Sequence, residues 1–219
     1  MLWYNKAQVM SLKTIQKTVI YEQVIKHSRF IATIIPIASE EDLERELLII
    51  KQTYPHATHY TYAYILGYPT SINGYSDDGE PKGTAGIPML NILVSQTLCN
   101  VLVVVVRYFG GTLLGTGGLR RAYSSAVSEG LKQAHFLFPV SYIESTFTMK
   151  YEDQNALEYQ LHSLNLELKK TYENDYILFH LTYEQSLHDA IQAVVREYTH
   201  YQSVLEIFQT TIRYEKKAD

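Results

Sequence analysis

Cysteine, membrane-length apolar runs and an excess of positive charge are features that this chain has little of. Cys99 stands alone among 219 residues, so no internal disulfide can form; this is typical of a reducing compartment and predicts a cytoplasmic protein. The longest strongly apolar run, residues 101–106, is far shorter than the roughly 20 residues of a membrane helix, so we expect no membrane association. The opening stretch MLWYNKAQVMSLK has no apolar core followed by a small-residue cleavage site, and we expect no signal peptide.

Charge is distributed unevenly along the chain, whose formal net charge is -4. Residues 1–140 carry 12 Lys and Arg against 10 Asp and Glu, whereas residues 141–219 carry 7 against 13. The acidic second part would repel a polyanion, and the first part can tolerate one. Neither part is basic enough to indicate nucleic-acid binding by charge alone.

The pattern of apolar and polar residues predicts an α+β protein with two domains. In the first, residues 1–138, we expect strands over TVIYEQVI, RFIATIIPI, THYTYAYIL and NVLVVVVRYF. Helices are expected after a Ser39 cap, over IPMLNILVSQTL, and from Thr116 onward. The stretch GYPTSINGYSDDGEPKGTAG is predicted to be a loop, because Gly, Pro, Asn, Asp and Ser dominate it.

A second domain is predicted over residues 140–219. Pro139, in FLFPVSY, is expected to break the chain between the two domains. The segments that follow alternate between strand and helix patterns in the order βαββαβ, with a hairpin turn at Glu173-Asn174-Asp175. That order is the one of the ferredoxin-like split motif.

Five of the eleven glycines stand together between a predicted strand and a predicted helix, and Arg120 and Arg121 follow them. A glycine-rich turn before a helix leaves backbone N–H groups free at the positive end of the helix dipole, which favours an anion. Arginines near a helix N-terminus are unfavourable by themselves, so they indicate an anionic partner or an acidic neighbour. The alternative is that the glycines serve only a tight turn and close helix packing.

Two common nucleotide-binding motifs do not fit this loop. The dinucleotide pattern GxGxxG, read from Gly115 and Gly117, meets Arg120 where a third glycine is needed. The Walker pattern, read from Gly110, has Thr116 where lysine is required. The loop therefore predicts a contact with a polyanion or with backbone rather than a dinucleotide or Walker site.

A second dense stretch, SDDGEPKGTAG, places Asp77, Asp78 and Glu80 within four residues, with Lys82 just beyond. Such carboxylates can bind Mg²⁺ or act as acid and base, but Asp also stabilises turns by accepting hydrogen bonds from nearby backbone, and we favour the turn. We expect this loop to lie beside the glycine-rich loop, with Arg107 or Arg121 as partners of the acids. The charges would then either satisfy one another or hold a ligand.

Long motifs in this chain resemble those of the IMPACT family. They are KHSRFIA, the pair Ala63-Tyr64, SDDGEPKGTAGIPML, NVLVVVVRYFGG and LGTGGLRRAY, and they run from about Lys26 to Val127. The resemblance implies an N-terminal domain like domain 2 of ribosomal protein S5 and a C-terminal ferredoxin-like domain similar to domain V of elongation factor G. It also implies a setting in translation, since eukaryotic members restrain a translation-initiation kinase by competing for its activating partner.

The resemblance implies hallmark positions but no catalytic residues. In this chain the hallmark positions are Arg29, Asp77, Asp78, Gly79, Glu80, Gly83, Gly86, Arg107, Gly110, Gly111, Gly115, Gly117, Gly118 and Arg121. Arg120 stands where an apolar or variable residue is expected, so any argument from its charge is specific to this chain. The resemblance is to the bacterial members of the family, and because bacteria lack the kinase system, that role is not carried over.

Two classes of function follow, and we favour a non-enzymatic binding or regulatory protein associated with translation. Its expected partner is RNA, the ribosome or a translation-associated protein, and no cofactor or metal is expected. The anion or nucleic-acid contacts are predicted at Lys82, Arg107, Gly110, Gly111, Gly115, Gly117, Gly118, Arg120 and Arg121. The alternative is a metal-assisted enzyme that acts on a phosphorylated or nucleotide-like substrate through the same glycine-rich and acidic loops.

Overall fold

A computed structural model describes residues 12–67, 71–164 and 166–216. The expectation about a signal peptide rests on residues that lie almost wholly outside these ranges, as do residues 68–70 of the predicted loop. Within the described chain no helix is both long enough and apolar enough to cross a membrane. The structure divides into two compact units, and the division falls between Phe138 and Pro139, with Lys216 assigned to the first unit.

The first unit contains one five-stranded sheet and three helices among its described residues. The strands are β1 Thr14–Ile15, β2 Val19–Ile25, β3 Ser28–Pro36, β4 His59–Leu66, β5 Ile72–Ser76 and β6 Val101–Tyr108, of which β2 to β6 form the sheet in the order β2-β3-β6-β4-β5. The helices are α1 Glu40–Thr53, α2 Gly86–Ser95 and α3 Gly115–Leu131. Ser39 caps α1 as predicted, because its side chain accepts a hydrogen bond from the backbone N–H of Asp42 at 3.2 Å.

Helices cover both faces of the first sheet. One face buries Ile31, Leu102, Val104 and Val106 in a cluster with Ile50 of α1. The opposite face packs against α3, where the rings of Phe30 and Tyr123 meet edge to face with centroids 5.3 Å apart. Because β6 lies in the middle of the sheet between two helical layers, all residues from Val101 to Arg107 are buried. This confirms the prediction of a strand buried on both faces.

Two strands of the first unit differ from the expectations. Residues 72–76, expected in a loop, form β5, which pairs antiparallel with β4 from Tyr62↔Ser76 to Leu66↔Ile72. Pairing with an existing sheet edge outweighs the low strand propensity of Asn73 and Gly74. The two-residue strand β1 was not expected, and it pairs with the first residues of β7 through Thr14↔Leu137 and Ile15↔Phe136.

The second unit contains the predicted βαββαβ order of elements. These are β7 Phe136–Met149, α4 Gln154–His162, β8 Glu167–Tyr172, β9 Ile177–Glu184, α5 His188–Tyr198 and β10 Glu206–Glu215, with short 3₁₀ turns at Tyr151–Asp153 and Gln185–Leu187. Strand β7 lies between β10 and β9, and β8 pairs with the other edge of β9. The core is apolar and includes the stacked rings of Phe147 and Phe179, 4.8 Å apart.

Pro139 lies at the division between the two units, but it does not interrupt the secondary structure. Strand β7 runs continuously from Phe136 to Met149 and includes it. Pairing with β1 ends at Leu137, and pairing with β9 begins at Tyr142. Pro139 lies between these two paired segments, where neither ladder needs the N–H that proline lacks.

Candidate anion-binding site

The register of the first sheet places three functional side chains in one row. Phe30 on β3 pairs with Arg107 on β6, and Arg107 pairs with His59 on β4. Side chains of directly paired residues point to the same face of a sheet, so these three lie side by side on the face that α3 covers. Arg107 is thereby fixed at the end of a strand whose other residues are apolar.

Glu80 brings the acidic loop to this row. Its Oε1 accepts a hydrogen bond from Nη1 of Arg107 at 2.5 Å and another from the hydroxyl of Tyr123 at 2.7 Å. Nε2 of His59 lies 3.9 Å from the same oxygen. Burial, together with the charge and hydrogen bond of Glu80, raises the pKa of Tyr123 far above its ordinary value, so this hydroxyl remains a neutral donor.

Arg107 is buried but not fully hydrogen bonded. Its guanidinium lies 5.3 Å from the ring centres of Phe30 and Phe109, and Nη2 donates to Oγ of Ser28 at 3.3 Å. The Nε atom is buried and has no hydrogen-bond partner in the described part of the chain. Buried donors almost always have a partner, so this one calls for an explanation.

The close approach of two backbone segments explains why the first residue of the glycine-rich group, Gly110, is a glycine. The backbone N–H of Gly110 donates to Oγ of Ser28 at 3.2 Å. A Cβ atom at Gly110 would lie 2.1 Å from the backbone carbonyl of His27, a distance that no side chain allows. Gly110 thus fastens the loop to β3, which supports the packing interpretation of this position.

The acidic loop is held together largely by Asp77. Its Oδ2 accepts the backbone N–H of Gly83 at 2.7 Å, and its Oδ1 accepts those of Ala85 at 3.0 Å and Gly86 at 2.9 Å. Since Gly86 begins α2 and Ala85 provides no side-chain cap, the carboxylate of Asp77 caps this helix from the loop. Partial burial favours a higher pKa for Asp77, but the three N–H donors outweigh it and lower the pKa.

The two loops contact each other, in part through an expected pair. The acid that pairs with an arginine is Glu80, whereas Asp77 and Asp78 accept backbone N–H groups; Oδ2 of Asp78 accepts from Tyr60 at 2.6 Å. A second bridge between the loops runs from Nε of Arg120 to the backbone carbonyl of Gly83 at 3.2 Å. The expected pairing with arginine is therefore confirmed for Glu80 and wrong for Asp77 and Asp78, because the oxygens of the two aspartates serve the turn and the start of α2.

The start of α3 is the least satisfied part of the site. No side chain of the described residues caps this helix, and its first turn contains no acidic residue. Gly115 has a φ of +71°, the left-handed conformation that favours glycine. Gly117 is exposed, and a Cβ there would meet only Nη1 of Arg121, at 3.7 Å. Free N–H groups and the helix dipole make this end electropositive.

A cavity of about 380 Å³ opens at this end of α3. Its walls are mainly apolar and include Phe109, Leu113, Leu114 and Leu119. The remaining lining residues come from the buried row, the acidic loop and the helix start: Thr58, His59, Gly79, Glu80, Pro81, Arg107, Gly115 and Thr116. The cavity is thus a mainly apolar pocket whose polar lining comes from the buried row, the acidic loop and the start of α3.

The predicted residues divide into three groups by position. Those at the cavity or at the start of α3 are Glu80, Arg107, Gly115, Gly117, Gly118, Arg120 and Arg121. Asp77, Asp78, Gly110 and Gly111 lie in the loops around it, and Lys82 is exposed beside Gly83. Arg29 does not join the site, because it pairs with Glu22 at 2.6 Å on the surface.

Sequence reasoning missed several residues of the site. Tyr123 is not among the predicted site residues, although a buried tyrosine hydroxyl usually needs a partner, which is Glu80 here. His59 is likewise absent from the predicted residues, although its Nε2 lies 3.9 Å from Oε1 of Glu80. Phe109 and Leu113 carried a signal that was available, because both are large apolar residues within a glycine-rich loop. Among the described residues no group of three or more His, Cys, Asp or Glu side chains is arranged to hold a metal.

Comparison with known proteins identifies a domain of this chain and then its family. The model of the Impact N-terminal domain matches residues 26–131. An IMPACT family member of Haemophilus influenzae is 48% identical over 53% of this chain and 58% of its own length, so the match spans little more than half of that relative. The Escherichia coli IMPACT family member YigZ is 38% identical over 61% of this chain and 67% of its own length. The chain belongs to the IMPACT family.

One solved structure is similar over most of the chain. The crystal structure of a hypothetical protein is 28% identical and covers 90% of this chain and 97% of its own, with a TM-score of 0.63. The likeness thus extends beyond the residues that the family model matches.

Proposed function

We propose that this chain is a binding protein of translational regulation whose first unit contacts the phosphate groups of RNA at the start of α3. One observation carries the proposal: the uncapped, glycine-rich start of α3 carries Arg120 and Arg121 and borders a cavity lined by a buried arginine. Free N–H groups at the positive end of a helix are a suitable site for phosphate. Membership of the IMPACT family supports translation as the setting.

Three cations are available to such a partner. Lys82, Arg120 and Arg121 are exposed, whereas Arg107 is buried and its charge is cancelled by Glu80. Each phosphate neutralised on a single strand contributes about -0.7 to the slope of log affinity against log salt, so the slope should be about -2. Binding through phosphates alone should tolerate any base sequence and stay near the micromolar range.

Salt titration of binding to single-stranded RNA tests the proposal. Replacement of Arg120 and Arg121 by alanine should weaken binding to every sequence and flatten the slope by about 1.4, since two phosphate contacts are lost. A matched control is replacement of Arg45 and Lys51 on α1, which removes the same charge from the opposite face of the sheet. No binding at low salt, or equal loss in both double variants, would contradict RNA contact at α3 and favour a protein partner.

The alternative, a metal-assisted enzyme, receives less support from the acidic loop. Asp77 is occupied by three backbone N–H groups, Asp78 by Tyr60, and Glu80 by Arg107 and Tyr123. A divalent cation would have to displace these contacts before the carboxylates could act as its ligands. We therefore keep binding rather than catalysis as the proposed role.

We further propose that the two units are separate domains, the first like domain 2 of ribosomal protein S5 and the second ferredoxin-like, similar to domain V of elongation factor G. The strand order within the second unit and its own apolar core support this. The protein is proposed to act in the cytoplasm. If residues 139–216 are expressed alone, they should unfold cooperatively in urea; a chain without a cooperative transition would contradict independent folding.

A further inference from the structure

The cavity beside α3 has features that binding to a phosphate backbone does not explain. A phosphodiester needs positive charge and N–H donors, both of which the helix start and its arginines supply. The cavity instead has mainly apolar walls. Two of the apolar lining residues are exposed, Phe109 by 44% and Leu113 by 81%. Exposed large apolar side chains next to a cavity indicate that an apolar group is covered there when a ligand binds.

The volume of the cavity limits the size of that group. At about 380 Å³ it lies near the lower end of the roughly 300–1,000 Å³ of small-molecule pockets. A space of this size suits one nucleotide rather than a folded RNA element or a protein segment. Phe109 offers an aromatic ring on which a base can stack in any sequence context.

The polar lining of the cavity comes from the start of α3 and from the buried row that contains Arg107. The start of α3 provides N–H groups without a side-chain cap, and no acid in the first turn opposes an anion. Arg107 also lines the cavity; it is 4% exposed, and its buried Nε has no partner in the described chain. Phe109 lies over the guanidinium at 5.3 Å, and both residues line the cavity, so a ligand stacked on Phe109 lies beside this buried cation.

A phosphomonoester fits the helix start better than a phosphodiester does. A monoester carries a charge of about -1.5 to -2 at neutral pH and three strong acceptor oxygens, whereas each linking phosphate within RNA carries one charge. Successive free N–H groups of a helix start can serve several of those oxygens at once. The site is therefore matched to an end of a nucleic acid more closely than to its interior.

We propose that this cavity binds a single nucleotide with a terminal phosphate, with the phosphate at the start of α3 and the base between Phe109 and Leu113. The proposal deepens the proposed function and rests on it, because the nucleotide is taken to be the 5′ end of an RNA. A free nucleoside 5′-monophosphate has the same chemistry, and the two sources are separated below.

The test compares two short single-stranded RNAs of the same sequence, one with a 5′-phosphate and one with a 5′-hydroxyl, by fluorescence anisotropy with the full chain. We expect the 5′-phosphate to be bound roughly tenfold more tightly. Nucleoside 5′-monophosphates are titrated as competitors in a separate arm. Displacement by mononucleotide at a concentration similar to that of the RNA identifies the free nucleotide as the source, whereas weak displacement identifies the RNA end.

Two variants localise the effect. Gly117→Asp adds a negative charge in the first turn of α3, where there is space for a side chain, and should abolish the 5′-phosphate preference. Phe109→Ala removes the stacking surface and should reduce the preference. The controls lie on α1, on the opposite face of the sheet: Gln52→Glu makes the same change in charge as Gly117→Asp, and Leu48→Ala removes an exposed large apolar side chain as Phe109→Ala does. Thermal unfolding checks that Gly117→Asp remains folded.

The outcomes separate this inference from the proposed function. Equal affinity for the two RNAs overturns the inference and leaves RNA binding intact. Binding of mononucleotide without binding of RNA supports the nucleotide cavity and overturns RNA contact. Absence of binding to any of these ligands overturns both.

Discussion

The acidic loop and the glycine-rich loop contact each other but use their polar groups in opposite ways. In the acidic loop, residues 76–86, each of the three carboxylates has protein partners: three N–H groups for Asp77, one for Asp78, and Arg107 with Tyr123 for Glu80. In the glycine-rich loop and the helix start after it, residues 107–122, no side chain of the described residues caps the helix, and a cavity borders its start. The more highly charged loop is thus the less available to a ligand.

This difference shows how charge in a sequence should be interpreted. Carboxylates near backbone N–H groups are satisfied locally, and a satisfied carboxylate stabilises the fold rather than binding a ligand. Glycines expose backbone donors and leave them for other groups. The comparison predicts that substitutions in the acidic loop lower stability, whereas those at the start of α3 alter binding and leave stability nearly unchanged.

Glu80→Ala should give the largest effect of the series. It leaves Arg107 as an unpaired buried cation and removes the acceptor of Tyr123, and breaking a buried ion pair costs about 3–5 kcal/mol. Urea unfolding of both proteins measures the loss in the free energy of unfolding. The matched control is Glu129→Ala, which breaks an exposed pair with Lys132 and should cost no more than about 1 kcal/mol. Similar losses of unfolding free energy in the two variants would contradict a structural role for Glu80.

Gly110→Ala should come next, because this glycine is structural although it lies in the glycine-rich loop. The added Cβ would lie 2.1 Å from the backbone of His27, so the loop must move, and overpacking of this kind costs about 3 kcal/mol or more. Gly111→Ala is the control: its φ of +82° is strained for alanine, but the space is open, so the cost should be about 1 kcal/mol. Urea unfolding that ranks Gly111→Ala as the worse substitution would contradict the close approach.

Asp77→Asn should lower stability by about 1–3 kcal/mol at neutral pH, because the amide replaces one acceptor oxygen by a donor that faces an N–H group. The pKa of Asp77 is lowered in the folded protein, so its carboxylate contributes stability that is fully present above the unfolded-state pKa of about 3.9. That contribution is lost as the pH falls through the lower folded-state pKa. The stability difference between the two proteins should therefore shrink below about pH 4; a constant difference from pH 7 to pH 3 would show that the charge plays no part.

Much of the fold could be predicted because its signals are local. The alternation in THYTYAYIL, the apolar run before Arg107 and the Ser39 cap each specify one element by themselves, and each is present. Strand β5 was missed because Asn73 and Gly74 have low strand propensity, and only the edge of β4 makes them a strand. The presence of Pro139 within β7 likewise depends on tertiary pairing, because it lies between the segments that pair with β1 and with β9.

The candidate site could be predicted only in outline. Motif positions indicated that the two loops meet, and the Glu80–Arg107 pair confirms that contact. The choice of Glu80 over Asp77 depends on the register that sets Arg107 beside His59, which sequence spacing does not contain. The cavity depends on where Leu113 and Leu114 lie relative to the start of α3, and this is likewise a tertiary property.

Gly117→Ala should give the smallest effect on stability and should have the opposite sign. Gly117 lies in the first turn of α3, its φ is not in the left-handed region, and a Cβ there meets nothing closer than 3.7 Å. Alanine is therefore expected to stabilise the protein by up to about 1 kcal/mol, measured as the free energy of unfolding in urea. Gly118→Ala is the control, since its Cβ would lie 3.0 Å from Cβ of Leu114 and crowding offsets the gain. A glycine that lowers stability without a packing reason must serve something else. If Gly117→Ala is more stable and also binds RNA more weakly, the glycine serves the close approach of a ligand to the helix N–H groups. If its affinity for RNA is unchanged, Gly117 is not part of the binding site, and the contrast between the two loops does not extend to this residue.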